Sequence, residues 1–313
     1  MAVAEQTEFD SSGRTALLAA SMLVIFLLAM TVTIANVALP QIQGSLSATR
    51  DQVAWVVTSY LVANAVGLPA TGWLTDRFGS RRLIVVGTVG FSLATLGCAM
   101  APNLEILVLL RAAQGLFGAP VMPLTMALVM ASYPRSQHGM VTSIFGIGVT
   151  IGPIIAPWLG GILAEDYGWR SVFYFCLPFA VMSCLAVLAV IPHDRPQRQH
   201  RLDLRGFVFF SIAIACFQLM VDRGERNDWF DSVEITLECL AGIVSLYLFV
   251  VHSLTWRHPY IDLRILANRD LSVGLLLVLA FGMLSYSPLV LLPNMLQNLR
   301  GYPEETIGII LAI

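Results

Sequence analysis

Apolar runs of about twenty residues, nearly free of charge, alternate along this chain with short charged clusters. A helix needs ~20 mostly apolar residues to cross the ~30 Å hydrocarbon layer of a bilayer, at ~1.5 Å of rise per residue. The pattern predicts membrane spans near Ala16–Leu39, Val53–Leu74, Leu83–Met100, Leu104–Met130, Met140–Leu163, Val172–Ile191, Gly206–Val221, Val233–Leu254 and Leu271–Leu292. A tenth run opens at Thr306 and reaches Ile313. The first run is too long for a removable signal peptide. It follows the acids Glu5, Glu8 and Asp10 rather than a basic stretch, so it is expected to stay in the membrane.

One charged junction between runs occurs twice. GWLTDRFGSR, Gly72 to Arg81, reappears 89 positions later as GILAEDYGWR, Gly161 to Arg170. Without a gap, Gly72 aligns with Gly161, Leu74 with Leu163, Asp76 with Glu165, Phe78 with Tyr167, Gly79 with Gly168 and Arg81 with Arg170. The first copy joins spans two and three and the second joins spans five and six, so the two lie on opposite membrane faces. Similar segments three spans apart and oppositely oriented are the mark of a three-plus-three inverted repeat, the unit from which secondary transporters are built. Chance convergence of short interhelical turns on Gly, an acid and Arg is the alternative. Gly72 and Gly79 are expected to permit a turn that a side chain would obstruct, with Gly79 at positive φ. Asp76 is suited to accept N–H groups at the start of a neighbouring helix. Arg77, Arg81 and Arg82 would hold the junction at the surface, or serve topology alone.

Two further signals lie inside spans. In the fifth, GIGVTIGPIIAPWLGG from Gly146 to Gly161 spaces Gly148, Gly152, Ala156 and Gly160 by four, giving one ridge almost without side chains. Such a ridge lets another helix approach closely, and Pro153 and Pro157 bend or loosen the helix beside it. An ordinary helix-pairing face is the plainer reading. In the fourth span Arg111 sits one turn before Gln114 and Gly115, roughly 10 Å from the span's start at Leu104. An arginine inside the membrane is a functional candidate unless it snorkels to the surface.

Composition agrees with a multi-spanning protein, at 57% hydrophobic and 12% charged residues. The chain has no lysine. With the N-terminus inside, twelve arginines fall in inner loops, among them Arg14, Arg77, Arg81, Arg82, Arg135, Arg205 and Arg257, and five in outer loops. From this positive-inside bias the N-terminus is expected in the cytoplasm. Cys98, Cys176, Cys184, Cys216 and Cys239 form no CxxC and read as small packing residues. No metal, nucleic-acid or nucleotide motif appears, so no metal site and no cofactor are expected. Energy from ATP has no GKS or GKT loop to support it, and an enzyme has no HExxH or GxSxG.

At this point the residues resemble a known group. GWLTDRFGSRR from Gly72, LLRAAQGLFGAP from Leu109 to Pro120 and GPIIAPWLGG from Gly152 to Gly161 resemble three signature motifs of the major facilitator superfamily. TIANVALP from Thr33, WVVTSYLVANAVGLPATGWL from Trp55, MVDRGERNDWF from Met220 and LLPNMLQNLRGY from Leu291 are similar to the EmrB/QacA-type drug:proton antiporters with fourteen spans. The resemblance implies an all-α membrane fold: a six-helix half of two inverted three-helix repeats, two additional helices, and the start of a second half. It divides the chain into a cytoplasmic N-terminus (1–15), a six-helix bundle (16–192), a basic cytoplasmic loop (193–205), two additional helices (206–254) and the start of the C-terminal bundle (255–313). It implies proton-coupled export of drug-like amphipathic molecules, with substrate, protons, the lipid bilayer and an accessory export subunit as partners.

By the same resemblance Gly72, Asp76, Arg77, Gly79 and Arg81 form a gating turn. Arg111 with Gln114 serves proton coupling. Gly148, Gly152, Pro153, Ala156, Pro157, Gly160 and Gly161 form an antiporter motif whose face packs between halves. Asn36, Tyr60, Asn64 and Gln114 are candidate cavity residues, or polar groups that bond helix to helix. Two departures stand out. Thr31 occupies the place of an aspartate in close relatives and cannot carry a proton, leaving Asp222 as a substitute candidate at a span end. A fourteen-span member needs roughly 450 to 520 residues by counting spans and loops. The sequence is thus expected to be part of a longer transporter, or else a truncated protein without transport.

Overall fold

The computed structural model describes residues 11–191, 203–257 and 259–300, and every long element among them is helical. All nine predicted spans are helices. They are α1 (Ser11–Val37) with its short extension α2 (Leu39–Ser45), α3 (Arg50–Phe78), α4 (Ser80–Met100), the pair α5 (Leu104–Gly118) and α6 (Val121–Ser132), α7 (His138–Tyr167), α8 (Arg170–Val190), α9 (Leu204–Arg223), α10 (Val233–Thr255) and α11 (Arg269–Arg300). The tenth run, residue 192 and residues 193–202 of the basic loop lie outside the described residues. Among the described residues, eight spans are long and apolar enough to cross a membrane.

Local chemistry sets the ends. Thr49 opens α3 with a reciprocal capping box: its hydroxyl accepts from Gln52 N–H at 3.2 Å and the Gln52 side chain accepts from Thr49 N–H at 2.9 Å. Asn103 caps α5 by accepting from Ile106 N–H at 2.9 Å. The fourth span, expected as one helix, is interrupted at Ala119–Pro120. Proline has no N–H to donate and its ring crowds the preceding turn, so the run divides there.

The packing partners obey one exchange rule. α1 lies on α7, and α3 lies on α5; α4 packs against α5, and α8 against α1; α4 and α8 pack on each other. Swapping the first three spans for the next three turns each contact into its counterpart, as an inverted repeat requires. The α4–α8 pair makes the symmetry chemical. Arg81, at the start of α4, donates to Leu188 O near the end of α8 at 3.3 Å, and Arg170, at the start of α8, donates to Ala101 O just past α4 at 2.7 Å. Each guanidinium meets the carbonyl end of the other helix, where the helix dipole favours a cation.

The repeated junction is conformationally the same in both copies. Gly79 has φ 85° and Gly168 has φ 80°, and their N–H groups bond back to Thr75 O and Ala164 O at 2.8 and 3.0 Å. Positive φ at these two positions is what glycine supplies cheaply. Gly72 and its counterpart Gly161 correct the expectation of a turn there. Both lie inside helices, and a Cβ on either would meet nothing within 4 Å. The reversal is therefore one residue wide after α3 and two after α7, because these helices continue to Phe78 and Tyr167.

The bundle interior is apolar, with Phe91, Phe173, Leu107, Met30 and Ile34 at 2% exposure or less. Large side chains such as Leu93, Leu109 and Leu185 face outward, a distribution that suits lipid rather than water. The described chain divides into two compact units, the first comprising residues up to 202 with 207–246, the second 203–206 with the residues from 247 on. In the second unit Asp203 ties its neighbours together. Its carboxylate accepts from His252 Nε2 at 2.8 and 2.9 Å, from Gly206 N–H at 3.1 Å and from Tyr260 N–H at 3.1 Å. Partial burial opposes the charge, but these donors outweigh it and hold Asp203 below the usual carboxylate value.

Candidate functional site

The crossing of α3 and α5 carries the polar chemistry of the first unit. Gly115 makes the close approach possible: a Cβ there would stand 2.2 Å from Tyr60 O. One turn earlier Arg111 is fully buried, so it does not snorkel. Its Nε donates to Val56 O at 2.9 Å, its Nη1 to Gln114 Oε1 at 2.5 Å, and its guanidinium lies 4.6 Å from the Tyr60 ring centroid. Gln114 Nε2 passes the chain on to Thr95 Oγ1 of α4 at 2.7 Å, and Thr95 donates to Phe91 O at 2.8 Å. Arg111 Nη2 has no hydrogen-bond partner among the described residues. The ionisable side chains acting on it are Cys98, Tyr60 and Cys176, and among the described residues no carboxylate pairs with it. A buried guanidinium held by a carbonyl, an amide and an aromatic face, with one donor open, is an uncompensated charge in a low-dielectric interior.

Thr31 lies close by. It is buried on α1, its hydroxyl donates back to Leu27 O at 2.7 Å, and it contacts the Cys176 thiol of α8. An acid there would have stood beside the Arg111 neighbourhood; the threonine is neutral and self-satisfied.

The other predicted site residues scatter. Tyr60 and Gln114 join Arg111, whereas Asn64 bonds Gly115 O at 3.3 Å from one turn along α3, as a helix-to-helix tie. Asn36 is exposed. At the junction Asp76 is exposed and makes no hydrogen bond with any described residue. Arg77 lies over the Trp73 and Phe78 rings at 5.4 and 5.7 Å, and Arg81 is taken up by α8.

The small-residue ridge of α7 lies on α1. Gly152 faces the α1 backbone, where a Cβ would lie 2.9 Å from Met30 N. Gly160 faces Ile34, Gly148 faces Met22, and Ala156 is buried between them. The ridge is occupied by α1 of the same bundle, because spacing by four gives a single face and that face is already covered. Gly161 lies off it in open space. Pro153 and Pro157 sit within the α7 helix, and the opposite face presents Ile147, Ile151, Ile154, Trp158 and Ile162 outward.

A contact that span-by-span reading does not reveal joins the bundle to α9. Thr58 of α3 donates its hydroxyl to the Asp222 carboxylate. Next to it the Arg223 guanidinium lies 5.0 Å from the Trp55 ring and is paired with Glu234 Oε1 at 2.5 Å, with Glu238 at 3.5 Å.

The helical repeat, the paired turns and the buried arginine are features to set against known proteins. The family model for the Major Facilitator Superfamily matches residues 21–313. The chain belongs to the Major Facilitator Superfamily. It is 33% identical over 288 residues to the "Multidrug export protein EmrB" of Escherichia coli (strain K12), covering 92% of this chain and 56% of that protein. It is 34% identical to the "Fatty acid resistance protein FarB" of Neisseria gonorrhoeae, covering 92% and 57%. The chain spans about half the length of the curated relatives it matches. A crystal structure of the "peptide transporter POT" superposes with a TM-score of 0.58 at 16% identity, over 82% of this chain and 56% of that one, which supports the fold alone. As a superfamily member of the EmrB type with eight spanning helices among its described residues, this is a multi-pass membrane protein.

Proposed function

We propose that this chain supplies the first half and the linking helices of a proton-coupled exporter of drug-like amphipathic molecules, lying in the cytoplasmic membrane with its N-terminus in the cytoplasm. The observation that carries the reading is Arg111, fully buried at the α3–α5 crossing, with a donor left open and no acid paired with it among the described residues. A charge so placed changes its environment strongly when the crossing shifts, which is what coupling an ion to alternating access requires. The names of the relatives support a drug-like cargo. The arginine bias between loops supports the orientation.

In this reading Asp76 serves as a latch. Its carboxylate is exposed at the Gly79 end of α3 and has no partner among the described residues, so it is available to a helix N-terminus of a second half. Arg77 and Arg81 hold the reversal in place around it. The exposed apolar stripe of α7, rather than its glycine ridge, is the face left for lipid or a second half.

Efflux of a fluorescent dye from cells carrying, lacking and overexpressing the intact gene tests the proposal. Accumulation should rise on deletion and fall on overexpression, with dissipation of the proton gradient abolishing the difference. Unchanged accumulation in all three strains rules out drug export.

A further inference from the structure

Proton coupling, if it rests on a carboxylate, needs one within reach of the moving helices. Among the described residues α1, α4, α6 and α8 contain no Asp or Glu. Asp51, Glu105 and Asp270 lie in first turns, and Asp76, Glu165 and Asp166 in last turns, of their helices. Glu234 lies in the first turn of α10 and Asp222 in the last turn of α9, which leaves Glu238 of α10 as the acid clear of a helix end. Glu238 faces Arg223. Asp222 touches the bundle, and does so at a particular depth: Thr58 lies eight residues into α3, about 12 Å by helical rise. On that same stretch of α3, Val56 O receives Arg111 and the Tyr60 ring lies against it. Asp222 and Arg111 thus grip one helix at one level, two residues apart along its backbone.

The surroundings of Asp222 favour a proton carrier over a fixed ion pair. Its neighbour Arg223 is engaged by Glu234 and Glu238 of α10 and by the Trp55 ring. From α3 the facing group is the neutral, 2%-exposed Thr58, and Arg111 of α5 bonds the same helix at Val56 O. Adding a proton to Asp222 therefore breaks no salt bridge among the described residues. It replaces an acceptor by a donor opposite the Thr58 hydroxyl, and the O–H···O contact has to reverse or part.

We propose that Asp222, on the first of the two additional helices, is the proton-carrying carboxylate of this protein, acting on α3 through Thr58 in place of an acid at position 31. A proton adds to one carboxylate oxygen as substrate leaves, and departs when substrate rebinds, with no covalent change elsewhere. This gives α9 a transport role, and it rests on the export reading above.

The test uses the full-length protein in proteoliposomes with ethidium as probe, comparing uptake driven by a pH gradient with counterflow of labelled against unlabelled ethidium. Asp222→Asn keeps the shape and hydrogen bonding but cannot titrate, so gradient-driven uptake should be lost while counterflow persists. Asp222→Glu should restore driven uptake with a displaced pH profile. Asp222→Asn retaining gradient-driven uptake overturns the proposal, as does its losing both activities or Asp222→Glu behaving like it. If the wild-type protein moves no ethidium in either assay, the export reading itself fails and takes this inference with it.

Discussion

The α1–α7 and α3–α5 crossings are equivalents under the repeat, yet they are built from opposite chemistry. In the first, the ridge of Gly148, Gly152, Ala156 and Gly160 lies on an apolar flank of α1 running through Met22, Met30 and Ile34. In the second, the close contact at Gly115 lies among the polar groups Arg111, Gln114, Tyr60 and Asn64. Symmetry supplies two similar crossings, and the difference between them separates scaffold from site. A dry crossing gains from uniform close packing. A polar one makes its stability depend on every hydrogen bond being met, and so responds to a change in charge.

The largest effect should come from filling the polar crossing. Gly115→Ala puts a Cβ into the Tyr60 carbonyl and is expected to cost about 3 kcal/mol or prevent folding, whereas Gly152→Ala, opposing Met30 N at 2.9 Å, should cost about 1–2 kcal/mol. Gly148→Ala, with its nearest neighbour at 3.6 Å, should be nearly neutral. Thermal unfolding in detergent gives the order, and Gly152→Ala proving worse than Gly115→Ala would reverse the comparison.

Replacing the charge comes next. Arg111→Ala leaves Gln114 and Val56 O without their donor, and is expected to abolish dye export. Arg111→Lys should fail as well, since a point charge does not reproduce the fork that meets both acceptors at once. Full export by Arg111→Lys would show that charge alone suffices.

A smaller effect tests the symmetry. Arg81→Ala and Arg170→Ala each remove a guanidinium from the carbonyl end of the opposite helix, so each should cost about 0.3–1 kcal/mol, and the two should match within error. A large disparity in unfolding midpoints would mean that the two contacts are not equivalents.

The smallest concerns Asp203 in the second unit. Its depressed folded value means that its stabilisation is present above the ordinary carboxylate pKa and is lost as pH falls through the folded one. Asp203→Asn should therefore be less stable than wild type near neutral pH, and the gap should close on acidification. A gap that widens in acid contradicts the assignment.

Much of the fold was legible, because a bilayer imposes length and apolarity on each span independently of its neighbours. The positions of α3, α4, α7 and α8 follow from hydropathy, and Gly79 announced its positive φ through a repeat that a sequence displays directly. Arg111 was legible as a buried charge because lipid makes such a residue rare. What it would touch was not. Val56 O and Thr95 carry no sequence signal, since a carbonyl belongs to every residue and a threonine in a span is ordinary. The ridge of α7 is legible as a close-packing face, but the helix lying on it in the structure, α1, is not. Spacing defines a face and says nothing about which helix covers it. Gly72 was misplaced for a related reason, because glycine near a charged junction marks a turn only where the backbone needs it.

The sequence alone carries the placement of the nine expected spans, the inverted repeat, and the presence of one charge where charge is expensive. These follow from properties that each segment carries alone: hydropathy, helical rise and the conformational freedom of glycine. Only the tertiary structure decided that Arg111 faces α3 rather than water, that α1 covers the glycine ridge, and that Asp222 meets Thr58 across 164 residues of chain. Those are pairings between helices that are all apolar and of similar length, so hydropathy cannot tell one partner from another. The choice is made where side chains interlock and buried polar atoms find donors and acceptors.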